Sequence, residues 1–494
     1  MQHLVILPIL MPTLFAVLLL LQPLSGAVRT RRWLSLFAML VNFLVASLLL
    51  WQQTNVPAQH YLLGNWAEPF GILLVADQLS VFFVWLTTLL SLAIALHSCG
   101  GDDEKGSYFH PLLHFLLMGL NGAFLTGDLF NLFVFFEVLL ISSYGLMVHG
   151  GGKKRIQAAL HYVILNLVGS ALFLLALALL YAMLGSLHMA DMAQRITMLQ
   201  PAQLLAVQAA AGLLLIVFGL KAALLPLHFW LPAAYAHANP SVAAMFAVMT
   251  KVGVYSLIRV FGLLFGASAG ALSGYGETLL WWGGLITMLL ATVMVLAAVD
   301  LKRLAAALVL LSAGTLLAAL GSGDAQVKAA ALLYAIHSSW IGAVWYLLSD
   351  QIARQRGGVG DRLVPGPKMQ HAPLLGWLFA LSALVVIGMP PFSGFVAKLW
   401  LIQGLSTLEH GMVLVVMLLL SSLAVLVTMS RAGSVLFWRA LPHTKTAPAL
   451  NTASLSAIVL LLVSGVGLVV FGQWWTQFCA DAIAQLQVAL GGLK

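Results

Sequence analysis

Residues 220–232 read LKAALLPLHFWLP and residues 388–400 read GMPPFSGFVAKLW. Each is an apolar run interrupted by prolines: Pro226 and Pro232 in the first, Pro390 and Pro391 in the second, the latter flanked by Gly388 and Gly394. Each also carries a lysine close to the interruption, Lys221 or Lys398. Proline removes an amide donor and clashes with the preceding turn, so both runs are expected to form helices that kink or unwind. Unwound backbone at membrane depth survives only where protein or water satisfies it. The two stretches therefore predict a pair of broken helices inside a membrane bundle.

The rest of the chain agrees with a membrane setting. Its 494 residues are 62% hydrophobic and only 8% charged, with a mean hydropathy of +1.02. Soluble domains carry about 25% charged residues on the surface that faces water. That deficit excludes a soluble enzyme, a nucleic-acid binder and a disordered tail. A spanning helix needs about 20 apolar residues, and about 14 such runs can be placed between 3–23 and 452–475. They are continuous rather than alternating with period two, so a β-barrel is excluded. The expected fold is an all-α polytopic membrane protein. Runs six, seven and twelve (156–184, 202–229 and 373–405) exceed one bilayer thickness, which predicts tilt or a break. The first run opens Met1-Gln2-His3 without a basic segment, so it reads as a span and not a cleaved signal.

The broken helices are runs seven and twelve, five spans apart. Interrupted helices in corresponding positions mark a transporter built from repeats. Residues 107–265 would be one five-helix repeat and 277–437 the other, inverted because five is odd. Lys/Arg placement sets orientation. With both termini outside, sixteen of the 23 basic residues, from Arg29 to Lys445, fall on the cytoplasmic side. Only Arg195, Lys328 and Lys494 fall outside, and the outer loop 51–70 carries Glu68 but no Lys or Arg. The net charge of +8 thus reports loop orientation rather than a polyanionic partner. The same topology separates Cys99 from Cys479, and neither has the spacing of a metal or redox motif.

Lys221, Lys251, Arg259 and Lys398 have no loop to sit in. Arg259 lies near an outer end and reads as snorkelling to the headgroups. Glu137 in LFVFFEVLLI and Lys251 in MTKVGVY are too central for that, so burial in the bundle is expected. Glu137 and the three remaining lysines together cost on the order of 10–14 kcal/mol on insertion scales, as much as a domain's whole stability. Mutual pairing or internal water is the natural offset. A lysine held between desolvation and a nearby carboxylate can load and release a proton as its neighbours change charge. His337, in LLYAIHSSWIG, could carry protons or simply pack. His228 and His237 flank the broken segment and could be gate or packing, as could Pro226, Pro390 and Pro391. Asp77 and Asp128 lie near outer span ends and read as interface or cap residues. His110 and His114 form an i, i+4 pair with no second pair to complete a metal or haem site. No phosphate loop, nucleophile elbow or hydrolytic acid pair is present, so no catalytic residue, metal or cofactor is expected.

The stretches DLFNLFVFFEVLLISSYGL (128–146), LHYVILNLVGSALFL (160–174), FGLKAALLPLHFWLPAAYAHANPSVAA (218–244), TKVGVYSLIRV (250–260) and PPFSGF (390–395) resemble the antiporter-like subunits of Mrp-type cation/proton antiporters and of respiratory complex I. The resemblance covers essentially the whole chain and is nearest to the D-type member of the Mrp (Mnh, Pha) complex. It implies 14 helices in two inverted five-helix repeats, with helices seven and twelve broken. It implies that Glu137 is the family's helix-five glutamate and Lys221 its helix-seven partner. Lys251, His337 and Lys398 match the relay groups of helices eight, eleven and twelve. Many complex I relatives carry a further lysine about a turn after the helix-eleven histidine; here SSWIGAVWY (338–346) has none.

The expected function is thus a subunit of a multisubunit Na⁺ or K⁺/proton antiporter in a bacterial inner membrane, working with sister membrane subunits. A proton-pumping membrane subunit of complex I, or of a related hydrogenase, is the second reading. A structural subunit whose buried charges only hold the bundle is the third. The acidic loop DDEK (102–105) breaks the positive bias and has no explanation in the sequence.

Overall fold

A computed structural model describes residues 2–21, 28–54, 56–66, 71–441 and 449–488; Glu68, Lys445 and Lys494 lie outside them. The chain begins with helices α1 (Leu7–Leu21) and α2 (Val28–Gln52) and a short antiparallel hairpin, β1 (Gln59–Leu62) and β2 (Leu73–Ala76), with Gln59 opposite Ala76. The apolar run at 71–97 therefore opens as a strand, and helix starts only at Gln78. The reason is Asp77, whose side chain accepts from the Ser80 amide while Ser80 Oγ accepts from the Asp77 amide. That reciprocal cap fixes the helix start.

Next come α3 (Gln78–Ser98), α4 (Phe109–Leu125), α5 (Leu129–Val148) and α6 (Lys153–Leu184). Asp128 caps α5 through the Asn131 amide. α6 runs unbroken for 32 residues, about 48 Å at 1.5 Å per residue, so this long run is accommodated by length and not by a break. After α7 (Met189–Thr197), run seven does break: α8 (Pro201–Lys221) stops at Lys221, and α9 (Trp230–His237) follows. Between them Ala223 sits at φ +60°, a left-handed conformation that ends the helix. Helix α10 (Pro240–Ser256) passes through one π turn (Leu257–Phe261) into the stub α11 (Gly262–Leu264).

The second half holds α12 (Glu277–Leu296), α13 (Leu301–Gly321) and α14 (Ala325–Arg356), the last two capped by Asp300 and Asp324. Run twelve also breaks, into α15 (Ala372–Ile387) and α16 (Ser393–Leu405), with Gly388 at φ +89° closing α15. Helices α17 (Gly411–Gly433), α18 (Thr452–Val470) and α19 (Gly472–Val488) complete the chain.

Among the described residues, eleven helical segments are long and apolar enough to cross a membrane, and three shorter apolar helices, α1, α4 and α15, accompany them. The segment from α10 to α11 and helix α14 are enclosed by protein along their whole apolar windows, whereas α2, α6 and α18 bury only a minor share. A helix that is apolar all round and enclosed on every side marks the bundle axis. Lys251 lies on α10 and His337 on α14, so both occupy that axis.

Arg259 departs from its expected role. It is buried rather than snorkelling, and both terminal nitrogens of its guanidinium bind the Asp77 carboxylate, at 2.5 and 2.6 Å.

Candidate functional site

Glu137 projects from α5 half-buried, and its carboxylate accepts a hydrogen bond from Ser170 Oγ of α6. One turn earlier on α6, Asn166 Oδ1 accepts a hydrogen bond from Lys221 Nζ at 3.0 Å. The same ammonium lies 5.7 Å from the centroid of the Phe136 ring, within cation–π reach. Lys221 and Glu137 are thus bridged by adjacent turns of α6, not paired directly, although the carboxylate acts on the lysine electrostatically. Lys221 is the last residue of α8, where the negative end of the helix dipole favours a cation.

From the break, the site passes to α10 through a glycine. A Cβ on Gly253 would stand 2.5 Å from the Ala222 nitrogen and 2.8 Å from the Lys221 carbonyl carbon, so only glycine lets α10 lie against the interruption. Two residues away, Lys251 is fully buried and donates to Ser312 Oγ of α13 at 2.8 Å. Ser312 donates its own proton to the Val309 carbonyl. A cavity of about 20 Å³ follows, lined by Ser312, Thr315, Tyr334, His337, Ser338, Lys398 and Ser421. That is room for one water among polar partners.

The second break repeats the first. Gly394 lies so near α15 and α14 that a Cβ there would stand 2.2 Å from the Val385 carbonyl oxygen of α15 and 2.9 Å from His337 Cε1 of α14. His337 Nδ1 is 3.0 Å from Ser393 Oγ, the first residue of α16. Lys398 Nζ donates to the Ile387 carbonyl at 2.9 Å, to Ser422 Oγ at 2.8 Å and to the Val386 carbonyl at 3.4 Å. Those carbonyls are left without helical partners where α15 stops, and the ammonium satisfies them. Both breaks therefore hold a lysine at the C-terminal end of their first half-helix.

The structure places Glu137 and Lys221 against neighbouring turns of α6, packs Gly253, two residues from Lys251, against the break beside Lys221, and sets His337 and Lys398 on the small cavity that Ser312, the partner of Lys251, also lines. The flanking residues scatter more. Pro226, Pro390 and Pro391 are exposed on the bundle surface, although Pro391 also lines an apolar cavity of about 170 Å³ beside His337. His228 is buried against the Phe229 ring with Nδ1 unpartnered. His237 lines an open crevice of about 360 Å³ with Lys154, His161 and Arg303. Asn166, Ser170, Ser312, Ser393 and Ser422, which hold the ionisable groups, do not stand out in the sequence. A signal is nonetheless present, since Asn166 and Ser170 stand four apart inside the apolar run 160–174.

The DDEK loop finds its explanation at one end of the bundle. Arg32 of α2 binds Asp103 at 2.6 and 2.7 Å and Glu104 at 2.7 Å. His110 lies 3.3 Å from Asp103, and His114 bonds Ser35 at 3.1 Å. Asp102 takes Lys105 at 2.7 Å, Ser241 of α10 at 2.7 Å and Arg354 of α14 at 3.4 Å. The loop is acidic because it neutralises the basic ends of other helices. Burial alone would raise both carboxyls. Arg32 and His110 instead hold Asp103 at about 2, and His97, Lys105 and Ser241 hold Asp102 below the usual carboxylate range. A depressed carboxyl contributes stability above its unfolded value and loses it as pH falls through the folded one. The difference in melting temperature between the wild type and Asp103→Asn is expected to stay constant from pH 9 to 5 and to shrink below about pH 4. Thermal melts of the purified complex across that range check it.

Comparison with known proteins places the chain. The family described as "NADH:quinone oxidoreductase/Mrp antiporter, TM" matches residues 126–424. The D-type subunit of a probable K(+)/H(+) antiporter of Rhizobium meliloti is 39% identical over 94% of this chain and 91% of its own length. The D-type subunit of the Na(+)/H(+) antiporter of Bacillus subtilis is 33% identical over 94% of both. In fold, the chain superposes on a chain of the Mrp complex from Dietzia sp. with a TM-score of 0.86, at 24% identity over 99% of this chain and 100% of that one. For respiratory complex I from Thermus thermophilus the TM-score is 0.78, at 23% identity and the same coverage. The chain belongs to the family of membrane subunits shared by NADH:quinone oxidoreductases and Mrp antiporters.

Proposed function

We propose that the chain is the D-like subunit of a multisubunit monovalent cation (Na⁺ or K⁺)/proton antiporter in a bacterial inner membrane, and that it moves protons along Glu137, Lys221, Lys251, His337 and Lys398. The observation that carries this is the placement of five ionisable groups at and between the two broken helices, each held by a hydroxyl, an amide or a free carbonyl of the bundle. A bundle held only by charge would pair its lysines with carboxylates. Here Lys251 and Lys398 bind neutral oxygens, which leaves their charge free to change.

Within this reading the apolar helices form 14 spans. Residues 107–265 and 277–437 make two inverted repeats, and the end rich in Lys and Arg faces the cytoplasm with both termini on the other side. The breaks at Pro226 and at Pro390 and Pro391, with His228 and His237, would act as gates. Glu137 is only half covered by its own chain, so a sister membrane subunit packed against α5 and α6 would complete its surroundings. A pumping subunit driven by redox chemistry in other chains is the competing reading, since the family description names both complexes.

The test is Glu137→Gln in everted vesicles containing the assembled complex, with an imposed pH gradient and no electron donor. Cation-dependent proton flux is expected to fall to about a tenth or less, equivalent to 1.4 kcal/mol or more on the barrier. Wild-type flux in a correctly assembled variant would sink the path. Wild-type protein that shows flux only when an electron donor is supplied would favour the pump.

A further inference from the structure

The end of the bundle that holds DDEK buries several titratable groups the path does not use, among them Asp102, Asp103, His110 and His97. His97, in the last turn of α3, is 0% exposed. Its Nδ1 lies 3.0 Å from Ser241 Oγ in the first turn of α10, and that same oxygen lies 2.7 Å from Asp102 Oδ2. A serine hydroxyl has one proton and an ionised carboxylate has none to give. The Ser241 proton therefore goes to Asp102, and Ser241 can only accept from His97. This fixes a proton on Nδ1 and leaves Nε2 of the neutral ring as a bare lone pair.

Among the described residues Nε2 has no hydrogen-bond partner. It faces Asp350 Oδ2 of α14 at 3.6 Å. A lone pair opposite a carboxylate oxygen is repulsive, and a proton between them makes a charge-assisted hydrogen bond. The charged groups around the ring are Asp102, Asp350, Arg354 and Lys105. Arg354 binds Asp350 at 2.6 Å and Asp102 at 3.4 Å, and Lys105 binds Asp102 at 2.7 Å. The side chains of Arg354 and Lys105 are 32% and 44% exposed, against 0% for Asp102 and 11% for Asp350. Burial opposes charging of the ring and the two carboxylates favour it; solvent screens the two cations more than the two carboxylates, so the fixed charges around the ring sum to a negative field.

We propose that Nε2 of His97 is a proton-binding site, separate from the series Glu137 to Lys398, whose occupant ties α3 to Asp350 of α14. On the orientation proposed above, the proton comes from the cytoplasm. Ser241 precedes Lys251 by ten residues on α10, and Asp350 follows His337 by thirteen on α14. Those offsets are about 15 and 20 Å along the helices, too far for direct transfer. The site acts on transport by fixing the inner ends of the two helices that carry the path. The bond exists on the acid side of the site's titration and is lost as pH rises.

Cys99 supplies a built-in reporter two residues away. It is half-buried, and its thiol is pushed up to about 11 by burial and by Asp103; Cys479 is fully buried. Because the thiolate reacts, a Cys99 this weakly acidic should label about tenfold faster per pH unit between pH 6 and 9. In everted vesicles containing the assembled complex, a membrane-impermeant maleimide is expected to label wild-type Cys99 more slowly than that line on the acid side, with a break where His97 takes its proton. His97→Gln, which cannot titrate, should give a straight line, and Asp350→Asn should remove the break as well. The pH midpoint of cation-dependent proton flux in His97→Gln should shift by at least about half a unit. A straight line in the wild type, a break that survives both variants, or an unshifted flux midpoint overturns the proposal. Only the flux readout rests on the transport reading. If Glu137→Gln left flux intact, that reading would fail while the labelling result stood.

Discussion

Lys251→Met is expected to reduce antiport on the order of 100-fold, about 2.7 kcal/mol on the barrier, while leaving the protein as stable as the wild type or more so. Most losses of function at buried residues come with losses of stability, so this dissociation is diagnostic. Lys251 is fully enclosed, and among the described residues its one bonded partner is the neutral hydroxyl of Ser312 and no carboxylate acts on it. A charge in that position costs about 2.5–3.5 kcal/mol on insertion scales. Methionine has nearly the same length and flexibility and carries no charge. Ser312 is not orphaned by the change, since its proton already goes to the Val309 carbonyl. The folded state therefore gains what the buried ammonium cost, while the series between Lys221 and His337 loses its middle member.

The two measurements are a thermal melt of the purified complex and flux in vesicles prepared from it. A raised or unchanged melting temperature with lost flux supports the relay. A lowered melting temperature would show that Lys251 holds the bundle, and retained flux would show that protons bypass α10. Lys251→Arg separates charge from titration: it keeps the cation but gives up its proton at no accessible pH, so it too should lose flux.

Much of this site was legible in the sequence because charge is scarce. With 8% of residues charged, Glu137, Lys221, Lys251 and Lys398 stood out against apolar runs, and proline positions placed both breaks beside their lysines. What stayed hidden were the neutral partners. Serine and asparagine inside an apolar helix cost little, so nothing in its position distinguished Ser312 from a packing residue, and the four-residue spacing of Asn166 and Ser170 was the only hint at that pair. The DDEK loop was unreadable for a different reason. Its partners Arg32, Ser241 and Arg354 lie 71, 139 and 252 residues away in the chain, and only the packed bundle brings them together. The strand at 73–76 was likewise masked, because an apolar run alone does not distinguish strand from helix.

Arg259→Met is expected to cost about 3–5 kcal/mol of stability, against less than about 1 kcal/mol for an arginine that snorkels to solvent. The sequence favoured the second role, and the geometry decides for the first. The guanidinium binds both oxygens of Asp77, its Nε donates to Tyr255 Oη at 3.0 Å, and it lies 5.5 Å from the Tyr255 ring. Tyr255 in turn donates to the Phe124 carbonyl at the end of α4. One arginine thus joins α3, α4 and the π turn after α10. Burial would raise the Asp77 carboxyl, but Arg259 holds it below its ordinary value, so the single variant leaves a buried carboxyl that must either stay charged without its counter-charge or take up a proton, and both cost stability. Removing the second charge should recover part of the loss. Asp77→Asn with Arg259→Met keeps an Asn cap on α3, itself a favoured residue there, and carries no unpaired charge. The double variant is expected to melt above Arg259→Met even though it has lost more native contacts. Additive losses, or a single-variant cost below about 1 kcal/mol, would mean that the pair is solvated and that α3 and α10 are held together by packing alone.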